Sequence, residues 1–265
     1  MSSILFEIKN NIAFITLNRP DKFNSFNREM SLLLQATLDE CASLHEVRCV
    51  YITGMGKAFS AGQDISELAP SQSPPKGEEK IGIKQILSEH YNPIVKRIRN
   101  LPKPVVAAVN GVAAGAGANI ALCCDIVVAS ASVYFIQAFS KIGLIPDSGG
   151  TFTLPRLIGF QKASALMMTG DKVTAADAER MGMIYKVYAN EIFEEESKKL
   201  ATVLSQMPTK ALAYTKHALN NAAINSWEEQ LLLEDEYQQK AAATDDYQEG
   251  IAAFIEKRIG IFKGK

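Results

Sequence analysis

Four things are scarce in this chain: excess charge of one sign, histidine, spaced cysteines and long apolar runs. The 265 residues carry 28 Lys and Arg against 29 Asp and Glu, a formal net charge of −1. So balanced a chain has no polyanion footprint, which argues against nucleic acid as its main partner. The three histidines are His45 in a polar turn, His90 on an apolar stripe and His217 in a helical tail. Structural roles fit all three. The four cysteines (Cys41, Cys49, Cys123, Cys124) sit in apolar runs and make no disulfide framework. Cys123-Cys124 lacks the spacing of a zinc site, so buried thiols in a reducing compartment are expected, with no metal. The apolar stretch from Val105 to Ala129 is broken by Asn110, Asn119, Asp125 and three glycines. It fails the criterion for a membrane span. The opening residues Met1 to Glu7 carry no basic segment ahead of an apolar core, so a cytoplasmic location is expected. Neither a G-x-S-x-G elbow nor a phosphate-binding G-x-x-x-x-G-K loop occurs.

What is present is ordinary globular material, 47% hydrophobic and 22% charged, in an α/β order. Short apolar runs at Ile12 to Leu17, Cys49 to Thr53, Val105 to Val109, Asp125 to Ala129 and Val133 to Ile136 read as strands. Met30 to Cys41 and Ile83 to Ile98 carry helical spacing. Ala69 to Lys80, rich in proline, serine and charge, reads as a mobile loop. Thr174 to Asp177 reads as a capping box. From about Glu191 the chain is helical, with apolar faces suited to subunit contacts. No internal repeat is visible.

Two small-residue turns and one acid are the candidates for chemistry. Phe59 to Asp64 follows a strand and could aim the Ala61 N–H into a cleft. Gly111 to Cys124 leads from strand to helix and places the Ala116 N–H at a helix start. Converging donors at such turns could hold an oxyanion, or the turns could merely pack tightly. Asp147 lies in an otherwise apolar turn. It suits a general base whose pKa burial raises, or an N-cap for a helix opening at Ser148.

Together these segments resemble the crotonase superfamily, the enoyl-CoA hydratases and isomerases, from about Ile4 to Lys265. The resemblance is carried by Leu17-Asn-Arg-Pro20, Phe59-Ser-Ala-Gly-Gln-Asp64, Lys103-Pro-Val-Val-Ala-Ala-Val-Asn-Gly111, Gly115-Ala-Gly117 with Cys124-Asp125, and Pro146-Asp-Ser-Gly-Gly-Thr151. Further matches, among them Tyr91-Asn-Pro93, Val112 to Ala118, Ala138 to Asp147 and Asp246 to Gly250, resemble the subgroup that isomerises ring 1,2-epoxyphenylacetyl-CoA in phenylacetate degradation.

The resemblance implies an α/β spiral of ββα units over residues 1–200 and a helical oligomerisation region over 201–265, as a homotrimer or a hexamer of two trimers. It implies that Ala61 and Ala116 hold the thioester oxygen and that Asp147 is the acid/base. It implies substrate contacts at Gln63, Asp64, Gly115, Asn119 and Phe139. CoA itself would lie near Lys22, Phe23 and Ser25, with Phe254 and Lys257 reaching it from the C-terminal helix. CoA is then part of the substrate, and no cofactor is implied. The two glutamates of the hydratases would fall on Asn119 and Phe139, neither of which can transfer a proton. An isomerase of acyl-CoA thioesters is therefore expected, acting on the ring epoxide, on 3-enoyl-CoA, or on both. A dehalogenase using Asp147 as nucleophile and a non-catalytic acyl-CoA-binding protein are the alternatives.

Overall fold

The structure, a computed structural model, describes residues 2–68 and 82–265; the loop expected over Ala69 to Lys80 lies outside them. The chain opens with a hairpin. β1 (Ile4–Lys9) pairs antiparallel with β2 (Ile12–Leu17) across the two-residue turn Asn10-Asn11, both residues left-handed. That is the geometry a twisted hairpin needs, and asparagine tolerates it. α1 (Arg28–Ser43) follows, capped by the Asn27 side chain on the Met30 N–H.

A two-strand rhythm then sets in. β3 (Cys49–Gly54) joins the first sheet and β4 (Ala58–Ser60) the second; β5 (Val105–Val109) and β6 (Val112–Ala114) do the same, as do β7 (Ile126–Ser130) and β8 (Tyr134–Ile136). Each pair is followed by helix. After β4 comes α2 (Ile83–Gln85), a π-helical turn (Ile86–Tyr91) and α3 (Asn92–Asn100), run together; after β6 comes α4 (Ala116–Leu122). After β8 come α5 (Gly150–Ile158) and α6 (Phe160–Thr169). The repeat unseen in the sequence is thus a repeat of ββα units wound as a spiral. β9 (Lys172–Thr174) closes the second sheet, in the order β4-β6-β8-β9, and β10 (Lys186–Tyr188), after α7 (Ala175–Arg180), closes the first, β1-β2-β3-β5-β7-β10. β2, β3, β5, β7 and β10 run parallel. The central members are buried on both faces, which is why they read as unbroken apolar runs.

Successive turns of the spiral touch closely. A Cβ on Gly111 would lie 2.2 Å from the Lys57 carbonyl oxygen. The neighbouring Asn110 stitches the turns together, accepting from the Gly54 N–H (3.0 Å) and donating to the Gly56 carbonyl (2.9 Å). Thr174 does cap α7, accepting from the Asp177 N–H, and its hydroxyl donates back to the Asp177 carboxylate.

The C-terminal part is helical: α8 (Phe193–Gln206), α9 (Thr209–Ala222), α10 (Trp227–Ala242) and α11 (Asp245–Glu256). Residue 200 falls inside α8. Trp227, Leu232, Phe254, Ile255 and Ile259 are all exposed on this region. Two cations fasten it to the core. Arg48, just before β3, donates to the Met207 and Phe262 carbonyls and to the Thr209 hydroxyl. Lys216 on α9, buried, donates to the Ile98 and Lys103 carbonyls and pairs with Asp125 at 2.8 Å. Removing one partner of a buried pair leaves the other desolvated and unpaired. Lys216→Met should lower unfolding stability by about 3 kcal/mol, read as an earlier urea midpoint at unchanged slope. An unchanged midpoint would show that α9 is not held this way.

All four cysteines are buried and free, and burial pushes the Cys41 thiol up to about 12. Among the described residues no helix is long and apolar enough to cross a membrane.

Candidate active site

β4, β6 and β8 run parallel in the second sheet, so their C-terminal ends open on one side. The loop after β4 carries Ala61, Gly62 and Gln63; the turn after β6 carries Gly115 and Ala116; the segment after β8 carries Phe139 to Asp147. These three loops, with the π-helical turn, wall a cavity of about 450 Å3. Ala61, Gln63, Gly115, Ala116, Phe139 and Asp147 all line it, as does Tyr91. Much of the rest of the wall is aliphatic: Ile65, Ile86, Leu87, Ile142, Leu144 and Ile145. A larger cavity, about 680 Å3, lies between α3, α5 and α9. Among the described residues its one carboxylate, Asp125, is already paired with Lys216, so the smaller cavity is the candidate site.

Packing brings the two backbone turns together. Gly117 has no side chain, and a Cβ there would lie 2.6 Å from the Ser60 hydroxyl, so α4 rests directly on the end of β4. Ala116 is the first residue of α4, where no intrahelical carbonyl can take its N–H. Among the described residues that N–H has no other acceptor. The Ala61 N–H corrects the expectation of two open donors: it donates to the Phe23 carbonyl at 2.9 Å. The reason is local, since Phe23 and Asn24 are both left-handed and turn that carbonyl under the loop.

Asp147 is half-buried in the cavity wall. Burial pushes its carboxyl up to about 6, against the opposing pull of the Ser148 hydroxyl, which donates to Oδ1 at 2.9 Å. The capping alternative does not hold. α5 starts at Gly150, its N-cap is Gly149, and no side chain caps it. Ser148 and Gly149 are both left-handed, which carries the helix start past Asp147 and leaves its carboxylate in the cavity wall.

In the sequence Tyr91 stands out only as part of the Tyr91-Asn-Pro93 match. It is buried in the π-helical turn, and its hydroxyl donates to Gln63 Oε1 at 2.7 Å. Burial, then the charge of Asp147, raises its pKa well above that of a free phenol, so it stands in the wall as a neutral hydroxyl. π-Helical turns gather at functional sites, but nothing in the residue spacing marks one.

Other expected contacts fall elsewhere. Asp64 is not in the cavity wall: it pairs with Arg19 at 2.9 Å and accepts from the Ser66 hydroxyl and N–H. These bonds hold its carboxyl below the usual range even though burial opposes them. Asn119 is buried, and its amide donates to the Asp147 carbonyl instead of facing the cavity. Gln137, which no motif in the sequence marks, donates to Asn119 Oδ1 at 2.8 Å. Lys22, Phe23 and Ser25 lie on the turn beneath Ala61 and outside the cavity wall. Phe254 is 84% exposed and Lys257 ends α11 in a left-handed cap; within one chain neither lines the cavity.

Residues 7–265 match the family described as Enoyl-CoA hydratase/isomerase. The chain belongs to that family. The enoyl-CoA hydratase/isomerase family includes catalysts of both kinds among its relatives. A 1,2-epoxyphenylacetyl-CoA isomerase from Escherichia coli (strain K12) is 42% identical over 265 residues, covering 100% of each chain. A probable enoyl-CoA hydratase from Rhodobacter capsulatus is 39% identical, over 99% of this chain and 98% of the relative. The crystal structure of an enoyl-CoA hydratase from Bacillus anthracis superposes with a TM-score of 0.90 at 30% identity, over 99% and 100% of the two chains. The spiral with its helical C-terminal region is therefore the crotonase fold, and acyl-CoA thioesters are the substrates of the enoyl-CoA hydratase/isomerase family.

Proposed function

We propose that this protein isomerises acyl-CoA thioesters with one carboxylate, Asp147, and no separate cofactor. The observation that carries this is the wall of the cavity. Asp147 is the one carboxylate among the described residues that line it. The two positions where the hydratase resemblance requires glutamates are otherwise engaged: Phe139 is apolar wall, and the Asn119 amide faces a carbonyl. Hydration needs a water activated and placed, and among the described residues this cavity has one acid to do everything.

One acid suffices for an isomerisation. The thioester oxygen takes the Ala116 N–H, which stabilises negative charge as a proton leaves the α-carbon. The Ala61 N–H, held by the Phe23 carbonyl at 2.9 Å, is not available as a second donor. The Asp147 carboxylate accepts the proton and, once neutral, returns it. On a 3-enoyl-CoA the proton leaves C2 and returns at C4, so the double bond moves to the 2-position and the mass is unchanged. On ring 1,2-epoxyphenylacetyl-CoA the same group assists epoxide opening and rearrangement to the seven-membered oxepin, again without change of mass. The aliphatic wall suits either acyl group and keeps water away from the enolate.

The test is to incubate purified protein with ring-epoxidised phenylacetyl-CoA and, separately, with a 3-enoyl-CoA, following mass and ultraviolet spectrum. Conversion at constant mass is expected. A product heavier by one water would overturn the assignment in favour of a hydratase.

A further inference from the structure

We infer that α4, besides presenting the Ala116 N–H, holds the turn that carries Asp147 through Asn119 and Gln137, and that Asn119 is a positioning residue for the proton-transfer step. This rests on the reading of Asp147 given above.

Among the described residues the one side chain that ties the Asp147 carboxylate is Ser148, next to it in the chain, and the other hydrogen bond to it comes from its own backbone. Where it points is therefore set by its backbone, and that backbone is held from α4. Asn119 Nδ2 donates to the Asp147 carbonyl at 2.8 Å. One helical turn on, Cys123 Sγ contacts the Ser148 carbonyl at 3.3 Å. Positions four apart share one helix face, and Cys123 continues α4 as its C-terminal cap, so two consecutive carbonyls of the turn meet one side of α4 and its cap. The Gly150 N–H takes the second lone pair of the Asp147 carbonyl at 2.8 Å.

Both the room and the direction of this contact are fixed. A Cβ on Gly150 would lie 2.3 Å from Asn119 Nδ2, so only glycine there admits the amide. A carbonyl can only accept, so Asn119 must present Nδ2 to Asp147 and Oδ1 to its other side. Gln137 Nε2 donates to that Oδ1 at 2.8 Å. Asn119 is 1% exposed and Gln137 2% exposed. In donating, Gln137 leaves its own Oε1 buried with no partner among the described residues. A buried polar atom without a partner is unfavourable, and an apolar side chain at 137 would not incur it. The glutamine supplies a donor that fixes the orientation of Asn119. The turn needs such holding, because Ser148 sits at φ 52, an uncommon conformation for a residue with a side chain. The first N–H of α4 and the carboxylate thus belong to one rigid unit.

The test uses Asn119→Ala and Gln137→Met, the second keeping the volume of the side chain. Two readings are taken: the Asp147 carboxyl pKa by carbon NMR of Asp-labelled protein without substrate, and kcat and KM for isomerisation. Asn119→Ala should lower kcat by about 10- to 100-fold, since a small misplacement of a reacting group has effects of that size, with KM nearly constant. Its Asp147 carboxyl should titrate below the parent's, as the turn relaxes toward water. Gln137→Met should act in the same direction and less. The double variant should be no worse than Asn119→Ala, because both changes break one contact. A lower melting temperature with unchanged carboxyl pKa and unchanged kcat, in both variants, would overturn the inference. The titration needs no turnover. A shift seen in a protein that isomerises neither thioester would uphold the positioning by α4 and remove the isomerase reading alone.

Discussion

Asp147→Asn should lower kcat for isomerisation by about 10²- to 10⁴-fold, the range over which a positioned acid or base acts, while substrate binding persists. The wild-type rate should depend on pH with a fixed sign. The base must be ionised to accept a proton, so kcat/KM should rise as pH passes about 6 and then level off. Asparagine removes that limb. The same group makes a second, opposite prediction for stability. Its folded pKa lies above the ordinary carboxylate value, so between about pH 4 and pH 6 the folded chain binds more protons than the unfolded one. Its contribution is most favourable below the unfolded pKa and is lost as pH rises through the folded one. Above pH 6 the wild type carries a desolvated charge that the variant lacks. Asp147→Asn should therefore be more stable than wild type at pH 7.5, by about 1–3 kcal/mol, and the gap should close by pH 4. A variant that keeps its rate would remove Asp147 from the mechanism. One that is less stable at pH 7.5 would show that the carboxylate is held by partners and not merely buried.

Ala116→Pro is the second large effect. Proline at the first position of a helix is well tolerated, because the N–H it deletes has no helical partner. Ala116 occupies that position, so the substitution removes the open donor while leaving α4 in place. Loss of one such donor lowers kcat by about 10²- to 10³-fold. Ala116→Gly keeps the N–H and should stay within a few-fold of wild type. Far-ultraviolet circular dichroism should be the same for all three proteins. Full activity in the proline variant would mean that the thioester oxygen is held elsewhere.

How much of this could be read from residues alone differs by element. β2, β3, β5 and β7 were plain because strands buried on both faces form continuous apolar runs. β1 was missed: its Phe6 and Ile8 face the core while Leu5 and Glu7 are outside or at the margin, and six residues of alternation carry little signal. The helix expected from Ile83 to Ile98 is there, but its π-helical turn is not written in the spacing. Asp147 was undecidable between base and cap, since Asp-Ser-Gly-Gly before a helix fits both. Two left-handed residues, Ser148 and Gly149, remove the cap and leave the carboxylate in the cavity wall. Left-handed Phe23 and Asn24 likewise occupy the Ala61 N–H, and nothing in Lys22-Phe-Asn-Ser25 announces them. Asn119 was placed by resemblance toward the substrate. Its actual direction depends on Gly150, thirty-one positions away, and on a glutamine at the end of β8.

Arg48 bears on how the chain is made. It sits in the first fifth of the sequence, yet its partners are Met207, Thr209 and Phe262. During synthesis from the N-terminus, the hairpin and the first turns of the spiral emerge long before those carbonyls exist. A half-made chain must keep this guanidinium, and the unfinished edge of the first sheet beyond β7, in contact with water or with a helper protein. Closure of the structure then waits on residues 159 to 214 positions further along the chain. Removing the segment around Phe262 would strike a stretch that looks dispensable in the sequence and whose docking completes the fold.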